Sequence, residues 1–405
     1  MSGTSARICL AYDCLFPWTI GGAERWYRNL GERLSRSGHE VTYLTLKQWD
    51  DGELPQIPGV RVIAVGPRMP LYRDGKRRIL PPLRYGLGVF WHLLRHRRDY
   101  DWLHTASFPY FSLLAAGLLR PFARYRIAVD WHEVWSPEYW REYLGALGFI
   151  GSAVQRLCAL VPQKAYTFSE LHRTRLNAIG VHDVILLTGE YAGGEHRSLT
   201  SAGTPPTVVY AGRFIPEKRL DLLLDALALV MRQDPQLRAE LYGQGPDFQR
   251  INDRVHELGL ADRIELPGFV GAEELEEAMC AATAIVQPSA REGYGMVVVE
   301  ASARGVPVIV VAAPDNAATE LVENGRNGFV VQAPDPALLA ERIQACVAGG
   351  RSLRKATRQW YRENEERLSL DHSLEQVASN YGLAKGPQPY DPEAPVFALN
   401  KPGAS

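Results

Sequence analysis

RICLAYDCLFPWTIGGAERWYRNLGERLSRSGHEVTYLTL, residues Arg7 to Leu46, decides the fold. Arg7–Tyr12 (RICLAY) is a short, nearly unbroken apolar run, the pattern of a strand buried on both faces. The loop DCLFPWTIGGAE leads into a helix from about Ala23 to Ser37. Its apolar positions Ala23, Tyr27, Leu30 and Leu34 share one face, and Gly38 stands where a helix can turn left-handed and stop. Val41–Leu46 is strand again. Strand, glycine loop, helix and strand make a βαβ unit, which requires a parallel sheet covered by helices on both faces. The Gly21-Gly22 pair lets backbone approach a ligand closely. It lacks the G-x-G-x-x-G spacing of a dinucleotide site, and a plain structural turn fits it equally well.

The rhythm continues with strands at Val60–Val65, Trp102–Thr105, Arg126–Asp130, Ala165–Ser169 and Asp183–Leu187. Arg126–Asp130 runs into DWHEVW and sets His132 just beyond the carboxyl end of a strand, the edge where such sheets hold ligands. A histidine among aromatics also suits a packed or capping role. SLTSAGTPP, ending at Pro206, is small, polar and proline-bearing, and residues 199–206 are read as a linker between residues 1–198 and 207–383. After it the pattern restarts. Strands fall at Thr207–Ala211, Arg238–Tyr242, Ile264–Leu266, Ala284–Gln287, Pro307–Val311 and Phe329–Val331. Helices lie between them at Arg219–Gln233, up to Leu258, Glu273–Ala281 and up to Arg304, then at Pro336–Val347 and Arg351–Leu383. The tail, 384–405, is rich in proline and glycine and is expected to be flexible. The fold class is therefore α/β, with a doubly wound parallel sheet covered on both faces expected in each of two domains.

A length of 405 residues suits two domains, and 46% hydrophobic with 22% charged residues is an ordinary soluble balance. No apolar run approaches the roughly 18–20 residues that span a bilayer. The amino terminus lacks the basic and apolar regions of a secretory signal. Five cysteines without a C-x-x-C pair argue against a disulfide framework or a zinc site. Cytoplasm is the expected location. Between Arg68 and Arg98 nine arginines and lysines face a single acid, Asp74, and are interleaved with residues such as Leu71, Tyr85, Phe90 and Trp91. Such a stretch suits an anionic membrane face, though a nucleic-acid patch or a solvated helix face would share its composition. Peripheral contact at the inner face of the cell membrane is the reading taken, with no nucleic acid as partner.

QPSAREGYGMVVVEASA, residues Gln287–Ala303, carries the chemistry. A strand end, a glycine turn and a helix start put free backbone N–H groups at the mouth of a sheet, a place for phosphate. Glu292 and Glu300, eight residues apart, would repel phosphate but suit neutral hydroxyl groups, as on a sugar and a ribose. In AGRFIPEKRL, Arg213 and Lys218 leave the same sheet edge. Two cations and a helix amino terminus there would hold a diphosphate and stabilise the charge it gains on leaving. The constellation points to a nucleotide-activated sugar.

GR-x4-K (Arg213, Lys218), LYGQGP, LPGFV, SAREGYGMVVVEA and ELVENGRNGFVV, in that order, resemble family 4 of the retaining glycosyltransferases. The GG-AE turn and a histidine after the strand at Arg126–Asp130 are similar to that family's first domain, though less specific. The resemblance implies a GT-B fold, with two Rossmann-like domains facing each other across a cleft and a final helix crossing back to the acceptor-side first domain. It implies that Arg213 and Lys218 hold the donor diphosphate and that Glu292 contacts the transferred sugar. Backbone N–H groups near Tyr294, Gly295, Met296 and Val297 would assist. It also implies Glu300 on the ribose, Val270 packing the base, His132 against the sugar, and Gly22 approaching the phosphate or acceptor. The chain departs from the family pattern at Gly293, Arg219, Ala317-Ala318 and in LLTGEY before the linker. No D-x-D pair stands at a strand end, so transfer without metal or other cofactor is expected, with retention and an α-glycosidic product. The donor would be a UDP- or GDP-sugar, the acceptor a lipid-linked or cell-surface glycan. A nucleotide-sugar epimerase of the same architecture and a non-catalytic nucleotide-sugar-binding partner remain as alternatives, while the missing fingerprint disfavours an NAD-dependent oxidoreductase.

Overall fold

Arg7–Ala11 (β1) is buried from Ile8 onward, as its apolar run requires. Gly22–Arg36 (α1) buries Trp26, Tyr27, Leu30 and Leu34, and Glu40–Leu46 (β2) pairs with β1 in parallel, Val41 beside Ile8. This computed structural model describes residues 5–19, 21–53, 55–73, 76–193 and 203–383, without the side chains at 72, 73, 76 and 77. Residues 199–202 of the expected linker and the tail at 384–405 lie outside the described residues.

The first sheet continues with Val60–Gly66 (β3). Tyr72–Arg73 (β4) and Lys76–Arg77 (β5) form a separate antiparallel pair. Then come Leu80–His96 (α2), Trp102–Ala106 (β6), Phe111–Leu119 (α3) and Arg126–Trp131 (β7). Pro137–Leu144 (α4), Gly148–Ala159 (α5), Lys164–Thr167 (β8), Glu170–Ala178 (α6) and Ile185–Leu186 (β9) complete it. The order is β3-β2-β1-β6-β7-β8-β9, all parallel. Strand order reverses between β1 and β6, the signature of a doubly wound sheet.

The second sheet is built from Thr207–Ala211 (β10), Arg238–Tyr242 (β11), Ile264–Gly268 (β12), Ala284–Gln287 (β13), Val308–Val311 (β15) and Gly328–Val331 (β17). Its helices are Leu220–Gln233 (α7), Phe248–Glu257 (α8), Ala272–Ala281 (α9), Met296–Ala303 (α10) and Pro336–Leu368 (α11). Two further short strands, Arg291–Glu292 (β14) and Asp315–Asn316 (β16), form a separate parallel pair. The order β12-β11-β10-β13-β15-β17 places the switch point between β10 and β13. Leu223, Leu227 and Val230 of α7 pack with Val208, Tyr210, Leu241 and Ile309 in one core cluster. Both sheets are of the expected α/β class.

The helix expected over Arg351–Leu383 is corrected. Gly350, at φ 42°, kinks α11, which ends at Leu368. Ser369 then caps a new helix, Leu370–Tyr381 (α12), its side chain accepting from His372 N–H. The chain divides into two compact units, residues 1–192 with 369–405, and residues 193–368. Within the first unit, the Trp102 indole donates to the Tyr381 carbonyl at 3.3 Å, Gly189 N–H donates to Ser373 Oγ at 3.0 Å, and Arg33 pairs with Asp371.

Candidate active site

In the second unit the chain leaves β10 and β13 toward opposite edges of the sheet, so a crevice opens beyond their carboxyl ends. Arg213 follows β10, and the loop carrying Ser289 and Glu292 follows β13. A short 3-10 turn, Pro216–Lys218, brings the lysine across. Its Nζ donates to Glu292 Oε1 at 2.5 Å, and Ser289 Oγ donates to the same oxygen at 2.7 Å. The two loops are also joined through backbone, Ala290 N–H donating to the Glu217 carbonyl at 2.8 Å. Arg213 is treated differently. Its carbonyl accepts from the Tyr210 hydroxyl at 2.9 Å, while its guanidinium is exposed and bonds to no described residue. One cation is fixed by a carboxylate and the other stands open to an anion.

Glu292 is held by more than its side chain. It lies on β14, paired with Asn316 of β16. Asn316 Nδ2 donates to the Ser289 and Val311 carbonyls at 3.1 and 2.8 Å, and its Oδ1 accepts from Ala318 N–H at 3.0 Å. Gly295 precedes α10 with φ 110°, and a Cβ there would lie 2.6 Å from the Ala318 Cβ. That left-handed turn aims the first N–H groups of α10, at Met296 and Val297, out of the helix, where no earlier carbonyl can take them. Tyr294 beside it is buried. Glu300, one turn into α10, is half-buried, and its carboxylate bonds to no described residue. Its neighbour Arg304 is committed elsewhere, its Nε donating to both oxygens of Glu276 at 2.9 Å. Val270, half-buried, follows β12 beside an exposed Phe269. Arg219 sits left-handed at φ 49°, a conformation costing an L side chain about 1–2 kcal/mol.

In the first unit His132 follows β7. Its ring stacks on Phe168 with centroids 4.7 Å apart, and its Nδ1 lies 3.8 Å from Glu190 Oε1. Burial pushes the His132 pKa down, which favours the neutral ring. Burial, with the charge of Asp130, pushes the Glu190 carboxyl up to about 8. Behind them is a fully buried pair, His104 Nε2 and Asp130 Oδ1 at 2.9 Å, with the Trp26 indole donating to the other carboxylate oxygen at 2.7 Å. Burial raises the Asp130 carboxyl, but His104, His132 and Trp26 outweigh it and hold it below its usual value. Tyr27 of α1 meets the His132 ring edge-on at 6.4 Å, one turn beyond Gly22. Gly22 is exposed, and a Cβ there would meet nothing within 4 Å.

The structure thus gathers Arg213, Lys218, Glu292, Gly295, Met296, Val297 and Glu300 at one edge of the second sheet. His132 and the helix begun by Gly22 meet in the first unit. Sequence reading missed Ser289 and Asn316, which depend on the loop folding back, and Glu190, which stood out only through LLTGEY. Among the described residues no group of three or more His, Cys, Asp or Glu side chains could hold a metal ion.

Two family models match. Residues 20–186 match Glycosyltransferase Family 4, and residues 194–366 match Glycosyl transferases group 1. The chain is 38% identical over 148 residues to a D-inositol 3-phosphate glycosyltransferase of Streptomyces avermitilis, covering 34% of this chain and 31% of that protein. It is 31% identical over 184 residues to a GDP-mannose-dependent alpha-(1-6)-phosphatidylinositol monomannoside mannosyltransferase of Mycobacterium tuberculosis, covering 42% and 47%. The matched stretch therefore spans about a third to a half of those relatives' length. Among solved structures, sucrose-phosphate synthase from Thermosynechococcus elongatus aligns with TM-score 0.74 at 21% identity, over 93% of this chain and 98% of that one. Anabaena HepE in complex with UDP-glucose aligns with TM-score 0.70 at 19% identity, over 93% and 99%. These two likenesses establish the fold. With both halves of the chain matched to its models and the fold shared, the chain belongs to glycosyltransferase family 4 and has the GT-B fold.

Proposed function

We propose that the chain is a retaining glycosyltransferase, moving a sugar from a UDP- or GDP-linked donor to a hydroxyl of a lipid-linked or cell-surface glycan with formation of an α-glycosidic bond. The observation that carries this reading is the Lys218–Glu292 contact at 2.5 Å beside the exposed Arg213 and the α10 amino terminus. A lysine ammonium has three donors, so one bond to Glu292 leaves two for the oxygens of a diphosphate. Arg213 supplies a planar fork for the same group. As the glycosidic C–O bond of the donor breaks, its electron pair passes to the diphosphate, and those cations stabilise the growing charge without a metal ion. Glu292 Oε1 is taken by Lys218 and Ser289, which leaves Oε2 to accept from sugar hydroxyls. Glu300, without a polar partner among the described residues, is the acceptor for the ribose. Val270 packs the base, and the N–H groups at Met296 and Val297 assist. The neutral His132 and the backbone at Gly22 serve the sugar and acceptor from the first unit. A donor phosphate oxygen takes the acceptor proton. The first unit works at the inner, anionic membrane face.

The support from relatives is of the same kind. The two curated relatives are named as glycosyltransferases acting on an inositol phosphate and on a phosphatidylinositol mannoside. The test is release of nucleoside diphosphate from a panel of UDP- and GDP-sugars with lipid-linked acceptors and excess chelator present, with the product's anomeric configuration read by NMR. Transfer with an α-linkage is expected. An epimeric sugar formed from donor alone, or donor binding with no transfer to any acceptor, would replace the reading.

A further inference from the structure

The connections β3 to β6, β6 to β7 and β7 to β8 all step the same way across the first sheet, so their right-handed crossovers put α2, α3 and α5 on one face. Close contacts agree. Phe111 of α3 closes on Gly86 of α2, and Val161, just beyond α5, closes on Gly117 of α3. The inner sides of these helices are apolar, as packing requires. Their outer sides are apolar too. On α2, Leu80, Leu83, Leu87 and Trp91 recur at helical spacing and are 44–55% exposed. On α5, Phe149, Ile150, Leu157 and Leu160 do the same and are 45–76% exposed, while Leu118 and Phe122 at the end of α3 reach 67% and 71%. Helices facing water ordinarily put polar residues there, and an apolar area of this extent marks a surface that meets something else.

The charges say what. Residues 78–98, 111–127 and 144–164 carry five, three and two arginines or lysines and no aspartate or glutamate, in a chain whose net charge is -1. Arg84, Arg95, Arg98, Arg124, Arg156 and Lys164 are exposed, and Arg95 lies over the Trp91 ring at 5.6 Å. No described helix is long and apolar enough to cross a membrane. Exposed leucines and aromatics on segments that carry cations and no acid, with Asp99 and the α4 acids Glu138 and Glu142 at their margin, complement a layer of anionic headgroups above acyl chains. We propose that the outer face of α2, α3 and α5 docks the first unit onto an anionic lipid bilayer, its apolar side chains entering the acyl boundary and its arginines lying among the headgroups. This deepens the functional reading, on which it rests only for its purpose of bringing a lipid-linked acceptor within reach.

All five cysteines are buried, so a single surface cysteine can be labelled selectively. Full-length chain carrying Leu160→Cys or Lys355→Cys, each with a polarity-sensitive dye, is mixed with phosphatidylcholine vesicles with and without phosphatidylglycerol. The expected result is co-sedimentation with the anionic vesicles at low salt, release at high salt, and a blue shift at position 160 only. Arg98→Gln, Arg124→Gln and Arg156→Gln each lower binding about fivefold. Leu118→Ser with Leu160→Ser abolishes insertion while circular dichroism stays unchanged. The proposal is overturned by absence of binding to anionic vesicles, by a shift at position 355 instead of 160, or by a dimer that the same serine variants dissociate. Neither donor nor acceptor is present, so vesicle binding by a chain that transfers no sugar sinks the transfer reading alone, and transfer without binding sinks this one.

Discussion

Replacing Lys218 with alanine removes the cation that donates to Glu292 Oε1. The two side chains are 14% and 18% exposed, so the pair lies between an exposed ion pair, worth ~0–1 kcal/mol, and a buried one, whose breaking costs about 3–5 kcal/mol. Ser289 still donates to Glu292 Oε1 at 2.7 Å, so the carboxylate keeps one partner. A stability loss of ~1–2 kcal/mol is therefore expected, seen as a modest fall in Tm. The effect on turnover is expected to be larger, because the proposed mechanism also places the lysine against the leaving diphosphate. Loss of one such donor costs about 10²–10³-fold in kcat, or ~2.7–4 kcal/mol of transition-state stabilisation. The assay follows nucleoside diphosphate release at saturating donor, with Tm measured on the same samples. Lys218→Arg is the control: it keeps the charge and recovers part of the rate, since a guanidinium binds phosphate with different geometry. Near-normal kcat in Lys218→Ala, or a rate loss that tracks only the fraction unfolded, would refute the reasoning.

Other outcomes follow from the same geometry. Gly295→Ala forces a side chain to φ 110° and against Ala318, so it should cost ~1–3 kcal/mol and lower turnover by displacing the α10 amino terminus; urea midpoints and kcat check both. Gly22→Ala meets open space at the start of a helix, so Tm should hold or rise slightly while kcat/KM falls through lost backbone approach; an unchanged kcat/KM would remove Gly22 from the site. Glu190, with its carboxyl raised to about 8 against about 4.3 in an unfolded chain, binds a proton more tightly when folded. Its contribution is whole below pH about 4.3 and is lost as pH rises through 8, so the unfolding free energy should fall by ~2–3 kcal/mol between pH 6 and pH 9, seen as a lower urea midpoint, and Glu190→Gln should flatten that fall. A wild-type curve that rises across this window contradicts the burial argument.

Much of the fold could be read because buried parallel strands are short apolar runs between glycine loops. Arg7–Leu46 and Thr207–Tyr242 each carry a complete βαβ unit, and the structure reproduces both sheets. The end of the chain was harder. The charged stretch after Arg351 keeps helical periodicity through Leu368, and only the Ser369 cap, a three-residue local bond, separates α11 from α12. Lys218 and Glu292 were legible as neighbours on one sheet edge because the strand pattern put both there, whereas the ion pair between them was not read. Ser289 and Asn316 were not: Ser289 reaches Glu292 through a three-residue loop bond, and Asn316 reaches the Ser289 carbonyl across 27 residues, neither of which any periodicity describes. Arg219 illustrates a third case. The sequence departs from the family pattern there, and the structure holds the arginine left-handed at φ 49°, a conformation that no periodicity announces. The apolar outer face of α3 and α5 was also hidden, since exposure at Leu118 or Leu160 cannot be told from burial by composition alone.

The central claim is that Arg213 and Lys218 hold the pyrophosphate without a metal ion. Its most direct test is calorimetric affinity for UDP and uridine, or GDP and guanosine, in excess chelator, for the wild type and Arg213→Ala. The account predicts that the nucleoside diphosphate binds undiminished in chelator and at least tenfold more weakly to the variant, while nucleoside affinity stays unchanged. Equal losses for both ligands, or diphosphate affinity that disappears on chelation, would contradict it.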